Sequence, residues 1–224
     1  MIQPMRFAGL FIFSLVLATA TTAMGSDSFP EDDPFDRIDA VNEGQLEFLS
    51  TPPAGATHHH ENRIRITSDS LLDGWVMLEQ CHRNLDPVSL LEIVYHPQRI
   101  RKIHIVSSRN IGRSQVIDTG VELRDIQADA ELCLRAESRA LHILEKDTYI
   151  LRNGPYMRRF LDGYYPMRLT VAIDYPPDVL NFHSARPESA KRLKHEPKQG
   201  KIRWDAWFQG RLFTEFEFTK QDNR

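Results

Sequence analysis

From residue 45 onward apolar residues recur at every second position, the spacing of strands that bury one face. The cleanest stretch sets Met167, Leu169, Val171, Ile173 and Tyr175 against Arg168, Thr170, Ala172 and Asp174. Ile64 and Ile66 alternate with Arg63 and Arg65, Ile103 and Ile105 flank His104, and Val121 and Leu123 alternate with Glu122 and Arg124. Leu132, Leu134 and Ala136 alternate with Cys133, Arg135 and Glu137. Between Trp75 and Cys81 both faces carry apolar residues, which predicts a strand covered on both sides. Ile202, Trp204, Ala206 and Phe208 form one stripe, Gln209-Gly210 supplies a turn, and Leu212, Thr214, Phe216 and Phe218 form a second. That pattern predicts a hairpin. Eight or more short strands separated by turn residues predict a mostly β domain over residues 45–220. The expected form is an antiparallel β-sandwich of two layers, immunoglobulin-like or jelly-roll in type, with a barrel as the alternative.

Helical signals are few. Leu85 to Leu91 contains Pro87 and predicts one short turn, and the four-residue spacing of Tyr156 and Phe160 predicts a turn or two inside a loop. Asn181 to Gln199, polar, basic and interrupted by Pro187 and Pro197, predicts a long loop. The segment Asp129-Ala130-Glu131-Leu132-Cys133 resembles the start of strand F in immunoglobulin domains over about one strand. It departs from that pattern where Trp75 precedes Cys81 and where Glu131 or Leu132 replaces the corner tyrosine. The resemblance implies a sandwich and no more.

Arg6 precedes an apolar run from Phe7 to Ala18, followed by small residues up to Ala23. A short positive start, an apolar stretch and an A-x-A pattern predict a secretory signal peptide over residues 1–23, and a periplasmic address. No other stretch approaches the length of a transmembrane helix, so no membrane span is expected after cleavage. Residues 24–44 read as a flexible acidic leader, since so polar a stretch buries too little apolar surface to order itself. In an oxidising compartment the two cysteines, Cys81 and Cys133, are expected to form one disulfide. Two buried thiols or a Cys-His metal site are the alternatives.

The formal net charge is −3, which supplies no global field for nucleic acid. Charge is nonetheless uneven: Asp27 to Glu47 holds eight acids and one base, and Arg186 to Arg203 seven bases and two acids. The densest candidate for function is Arg152 to Pro166, a long loop joining two strands. Its residues Arg152, Tyr156, Arg158, Arg159 and Tyr164 combine planar donors with flat rings, which suits a protein or an envelope ligand. The competing reading has Tyr156, Phe160 and Tyr165 plugging one end of the domain, with Asp162 pairing an arginine. His58-His59-His60 is the second candidate. His58 and His60 share a face if the segment is extended and can then ligate copper or zinc, with His82 or His96 as partners if the fold brings them near. An exposed polar turn is the plainer expectation for this run. Trp207, opposite Trp204, is the third candidate, a ring for a binding platform or for the core. No G-x-S-x-G, G-x-x-x-x-G-K-[ST], H-E-x-x-H or C-x-x-C motif is present. The leading expectation is therefore an exported, non-catalytic binding protein without a cofactor. A periplasmic metal-handling protein and a hydrolase of envelope polymers are the alternatives.

Overall fold

The computed structural model describes residues 44–145, 147–160, 163–188 and 192–221. The signal segment, the leader up to residue 43 and Asp162 lie outside the described residues. With 68% of residues in strands and 4% helical, the chain is mostly β. Its strands in order are β1 (Glu47–Phe48), β2 (His59–Arg65), β3 (Trp75–Leu85), β4 (Leu90–Val94), β5 (Ile100–Ile117), β6 (Gly120–Arg139), β7 (Leu141–Glu145) and β8 (Thr148–Tyr156). There follow β9 (Arg159–Phe160), β10 (Gly163–Tyr164), β11 (Met167–Asp174), β12 (Leu180–Arg186), β13 (Leu193–Glu196), β14 (Lys201–Gln209) and β15 (Leu212–Lys220).

A large sheet runs β1-β14-β11-β2-β3-β6-β4, with β13 added along β14 and β5 along β6. All of its pairings are antiparallel except β11 with β2, which is parallel. A smaller antiparallel sheet runs β12-β15-β8-β7, and β9 with β10 forms a separate two-stranded piece. Among the described strands no sheet closes into a barrel. β6 is the hub of the large sheet. Its first part lies between β4 and β5, and its second between β3 and β5. Between those parts the backbone turns left-handed at Asn110, Asp125 and Asp129, residue types that tolerate positive φ. The ribbon bends there while pairing continues on either side.

The alternating positions become one hydrophobic core to which both sheets contribute. Leu169, Val171, Ile173, Trp204 and Phe208 come from the large sheet, and Leu151, Leu212, Phe216 and Phe218 from the small one. Cys81 and Cys133 stand directly opposite on β3 and β6 and form the expected disulfide.

Several expectations are corrected. The two C-terminal stripes are not a hairpin: β14 belongs to the large sheet and β15 to the small one. The chain crosses between sheets at Gly210, whose φ of +86° and closeness to the Gln45 carbonyl leave no room for a side chain. Period two reports which face is buried, and two facing sheets bury the same stripes as a hairpin does. Residues 181–199 are not one loop but carry β12, β13 and a 3-10 turn, Pro197–Gln199. Leu85 and Leu91 lie in strands, as do Tyr156 and Phe160, so neither expected helical turn forms. Among the described residues the one α-helical turn, Ser70–Asp73, closes on Gly74 at φ +77°. β3 is covered on its inner side only, because Met77 on the other side is exposed.

Candidate functional site

On the inner face of the large sheet, β11 and β14 present apolar residues throughout, whereas β2 and β3 present Ile64, Val76 and Leu78 at one end and polar residues at the other. Alternation places His60 and Asn62 of β2 beside His82 and Gln80 of β3. Leu169 and Val171 of β11 flank them on one side, and Leu132 and Leu134 of β6 on the other. With His58 just before β2, these five polar side chains are 4–9% exposed. They form a buried polar island in an otherwise apolar layer. The expectation of an exposed histidine turn is thereby corrected. The run opens an interior strand, and only His59, pointing the other way, reaches the outer face.

Polar groups in such a place must pair, since each orphaned group costs roughly 1–3 kcal/mol. The Tyr95 hydroxyl donates to Gln80 Oε1 at 2.8 Å, which turns Gln80 Nε2 towards His82 Nε2 at 2.9 Å. A carboxamide nitrogen only donates, so His82 Nε2 accepts, and neutral His82 carries its proton on Nδ1. That proton is donated to His58 Nε2 at 3.0 Å. In a second branch Asn62 Nδ2 donates to the Tyr156 hydroxyl at 2.8 Å, and Asn62 Oδ1 accepts from His60 Nε2 at 2.9 Å. The His60 proton therefore sits on Nε2 and the lone pair on Nδ1. The His60 ring centre lies 4.4 Å from that of His82, and the His58 centre 5.2 Å from the latter.

Burial holds these imidazoles neutral. Desolvation lowers His58 to about 4, with Asp86 pulling upward and Arg158 downward. Desolvation, then the neighbouring His58, lowers His60 to about 3, against the hydrogen bond it donates to Asn62 Oδ1. His82 is pushed well below its ordinary value by burial and by its two histidine neighbours. Tyr95 and Tyr156 are raised, chiefly by burial. As the side chains stand, no group of three or more His, Cys, Asp or Glu among the described residues surrounds a common point as a metal requires. The fold does bring His82 to His58, as the metal expectation required. His96 instead accepts from the Gln98 backbone nitrogen at 3.2 Å.

The arginine-tyrosine segment divides between inside and outside. Tyr156 ends β8 in the core, 6% exposed, under the polar island. Arg158 grips Asp86 through Nε at 2.9 Å and through Nη2, and donates from Nη1 to the Pro166 carbonyl at 3.0 Å. It ties this segment to the β3–β4 connection, while Phe160 and Tyr165 meet edge to face. Arg152 is exposed and bonds Glu215 at 2.7 Å. Arg159 lies over the Tyr164 ring, which itself rests against Gly44.

The outer face of the same sheet has the opposite character. Pairing aligns rows across six strands: Trp207, Arg168, His59, Arg83, Glu131 and Arg109 in one; Asp205, Thr170, Glu61, Cys81, Cys133 and Ser107 in the next. A third contains Arg203, Ala172, Arg63, Glu79, Arg135 and His104, and a fourth Lys201, Asp174, Arg65, Met77, Glu137 and Arg101. Nine lysines and arginines meet six carboxylates on these rows. Glu61 accepts from Arg83 at 2.9 Å and Arg63 at 3.2 Å. Burial works to raise its carboxyl, but those guanidinium bonds and charges outweigh burial and leave it below the usual range. Asp205 takes both Nε and Nη2 of Arg168 and the Thr170 hydroxyl, whose oxygen also accepts from His59 Nε2 at 2.9 Å. Glu61 is thus held as an anion, whereas a general acid needs a raised pKa. Trp207 lies on this face with the Arg168 guanidinium 5.7 Å from its ring centre, while Trp204 is buried in the core.

Gln80, Asn62 and Tyr95 were not singled out in the sequence. The signal was there for the first two: extending the phase of Ile64 back by two points Asn62 inward, and extending Val76 and Leu78 forward points Gln80 and His82 inward. Comparison with known proteins finds no matching family model, no similar curated protein and no matching solved structure.

Proposed function

We propose that the chain is an exported, non-catalytic binding protein of the cell envelope, recognising an acidic protein surface through the outer face of its large sheet. The observation that carries this reading is the guanidinium excess on the four rows, on a chain whose formal net charge is −3. A positive face on a negative protein steers an acidic partner into one orientation. Arginine with tryptophan, here Arg168 on Trp207, is also the composition of interface centres. Arg63 and Arg135 reach their carboxylates through Nε, leaving the outer fork atoms for a partner. Export is supported by the N-terminal charge and hydropathy pattern, and by a disulfide, which persists in oxidising compartments. We read the two sheets as the layers of an open sandwich, because Tyr175 meets Phe218 at 5.2 Å and Asn62 bonds Tyr156 across them.

A fluorescent oligoglutamate peptide tests this at low ionic strength. Binding is expected to weaken at least tenfold in the Arg63→Glu, Arg135→Glu double variant, to fall with added salt, and to survive Lys220→Glu on the small sheet. No binding, or equal loss in all variants, overturns the reading. Loss confined to Arg152→Ala with Arg159→Ala moves the contact to β8 and the segment that follows it.

A further inference from the structure

We propose that His58, His60 and His82 form a buried site for a d10 transition-metal ion, Zn(II) or Cu(I), held by neutral imidazole nitrogens. The argument begins with His58 Nε2 and His82 Nδ1, which face each other at 3.0 Å with one proton between them. A tetrahedral ion with metal–nitrogen bonds of about 2.0–2.1 Å holds two ligand nitrogens about 3.3 Å apart. The pair therefore opens by only a few tenths of an ångström to admit an ion in place of the proton.

That exchange has a defined local route. His82 moves its proton from Nδ1 to Nε2, and the Gln80 carboxamide turns over so that Oε1 accepts it. Gln80 Nε2, now 2.8 Å from the Tyr95 oxygen in the place Oε1 held, donates to it as the Tyr95 O–H turns away. No proton is lost overall, and the carboxamide turns within its own outline. His60 already has the right tautomer: its Nε2 proton is donated to the Asn62 carbonyl oxygen and its lone pair is on Nδ1. A swing of its ring, centred 4.4 Å from that of His82, brings in the third nitrogen. Amide oxygens at the far nitrogens of His60 and His82 are then the outer partners that orient histidine ligands and raise their basicity.

The surroundings select neutral ligands. Among the described residues, His58, His60 and His82 have no carboxylate as a hydrogen-bond partner. Asp86, whose charge reaches His58, is already gripped by Arg158.

The test uses the whole mature protein, stripped of metal, at pH 7.5. Titration with Zn(II), and separately with Cu(I) under anaerobic conditions, is expected to show one ion per chain and heats independent of buffer ionisation. At about one hundred times Kd the melting temperature should rise by roughly 5–10 °C. Imidazole 15N spectra of the unmodified protein should shift at His58 Nε2 and His82 Nδ1, whatever the variants do. His58→Asn or His82→Gln, each checked for folding by near-ultraviolet circular dichroism, should weaken binding at least a hundredfold, and His59→Ala should leave it unchanged. The two metal arms decide which ion the site takes. Absence of stoichiometric binding in both, binding without those nitrogen shifts, or binding lost in His59→Ala overturns the proposal.

Discussion

Two halves of one sheet face solve burial differently. On β11 and β14 the inner positions are Leu169, Val171, Ile173, Trp204, Ala206 and Phe208, which need only complementary shape. On β2 and β3, one strand away, equally buried positions are His60, Asn62, Gln80 and His82, which need a complete set of donors and acceptors. Apolar packing is forgiving of chemistry and sensitive to volume. A buried network is the reverse, because one missing partner strands the next group in a medium that cannot hydrate it. The histidine half thus marks a place where the fold tolerates a cost it could have avoided with valine or leucine.

Acid should separate the halves most strongly. The folded histidines stay neutral while unfolded ones protonate near 6.5, so the unfolded chain binds more protons at lower pH. Stability is then full above about pH 6.5 and falls as pH drops towards 4, by up to about 1.4 kcal/mol per pH unit for each histidine. Urea midpoints between pH 7.5 and 4.5 check this. A flat profile would mean that the island is hydrated. Next in size is Trp204→Ala on the apolar half, expected to cost about 3–5 kcal/mol at pH 7.5 through the cavity it leaves. Its cost should stay the same as pH falls, if the two halves are independent.

Removing the bridge with Cys81→Ser and Cys133→Ser should cost roughly 2–4 kcal/mol, since the linked positions are 52 residues apart. The β3–β6 pairing should survive, with the protein still melting in one transition. On the polar half, Asn62→Leu should cost about 2–3 kcal/mol by stranding His60 Nε2 and the Tyr156 hydroxyl. Adding Tyr156→Phe should cost less than the sum of the two single changes, and strict additivity would dissolve the network as a unit. The smallest effect belongs to the outer face. Arg63→Ala removes a largely exposed guanidinium from Glu61, which keeps Arg83, and should change stability by less than about 1 kcal/mol, measured by the same urea midpoints.

Alternation made most strands legible, and the phase of Ile64, Val76 and Leu78 already pointed Asn62 and Gln80 inward. The histidine run nevertheless reads as a surface turn, because composition argues for exposure wherever a strand is not yet assigned. Tyr156 and Arg158 read as contact residues for a similar reason. Arginine and tyrosine serve binding and internal packing equally well, and the partners that decided between them, Asn62 and Asp86, lie 94 and 72 residues away.

By itself the amino-acid sequence determined that the chain is mostly β, the buried face of its most regular strands and the pairing of its two cysteines. Those follow from local periodicity and from a count of two. Only the tertiary structure decided that β14 and β15 belong to different sheets, that β2 joins β11 in parallel, and that His58, His60 and His82 are buried side by side. Periodicity fixes which side of a strand faces inward. It carries no information about which strand lies opposite, and hydrogen-bond partners are set by that second choice.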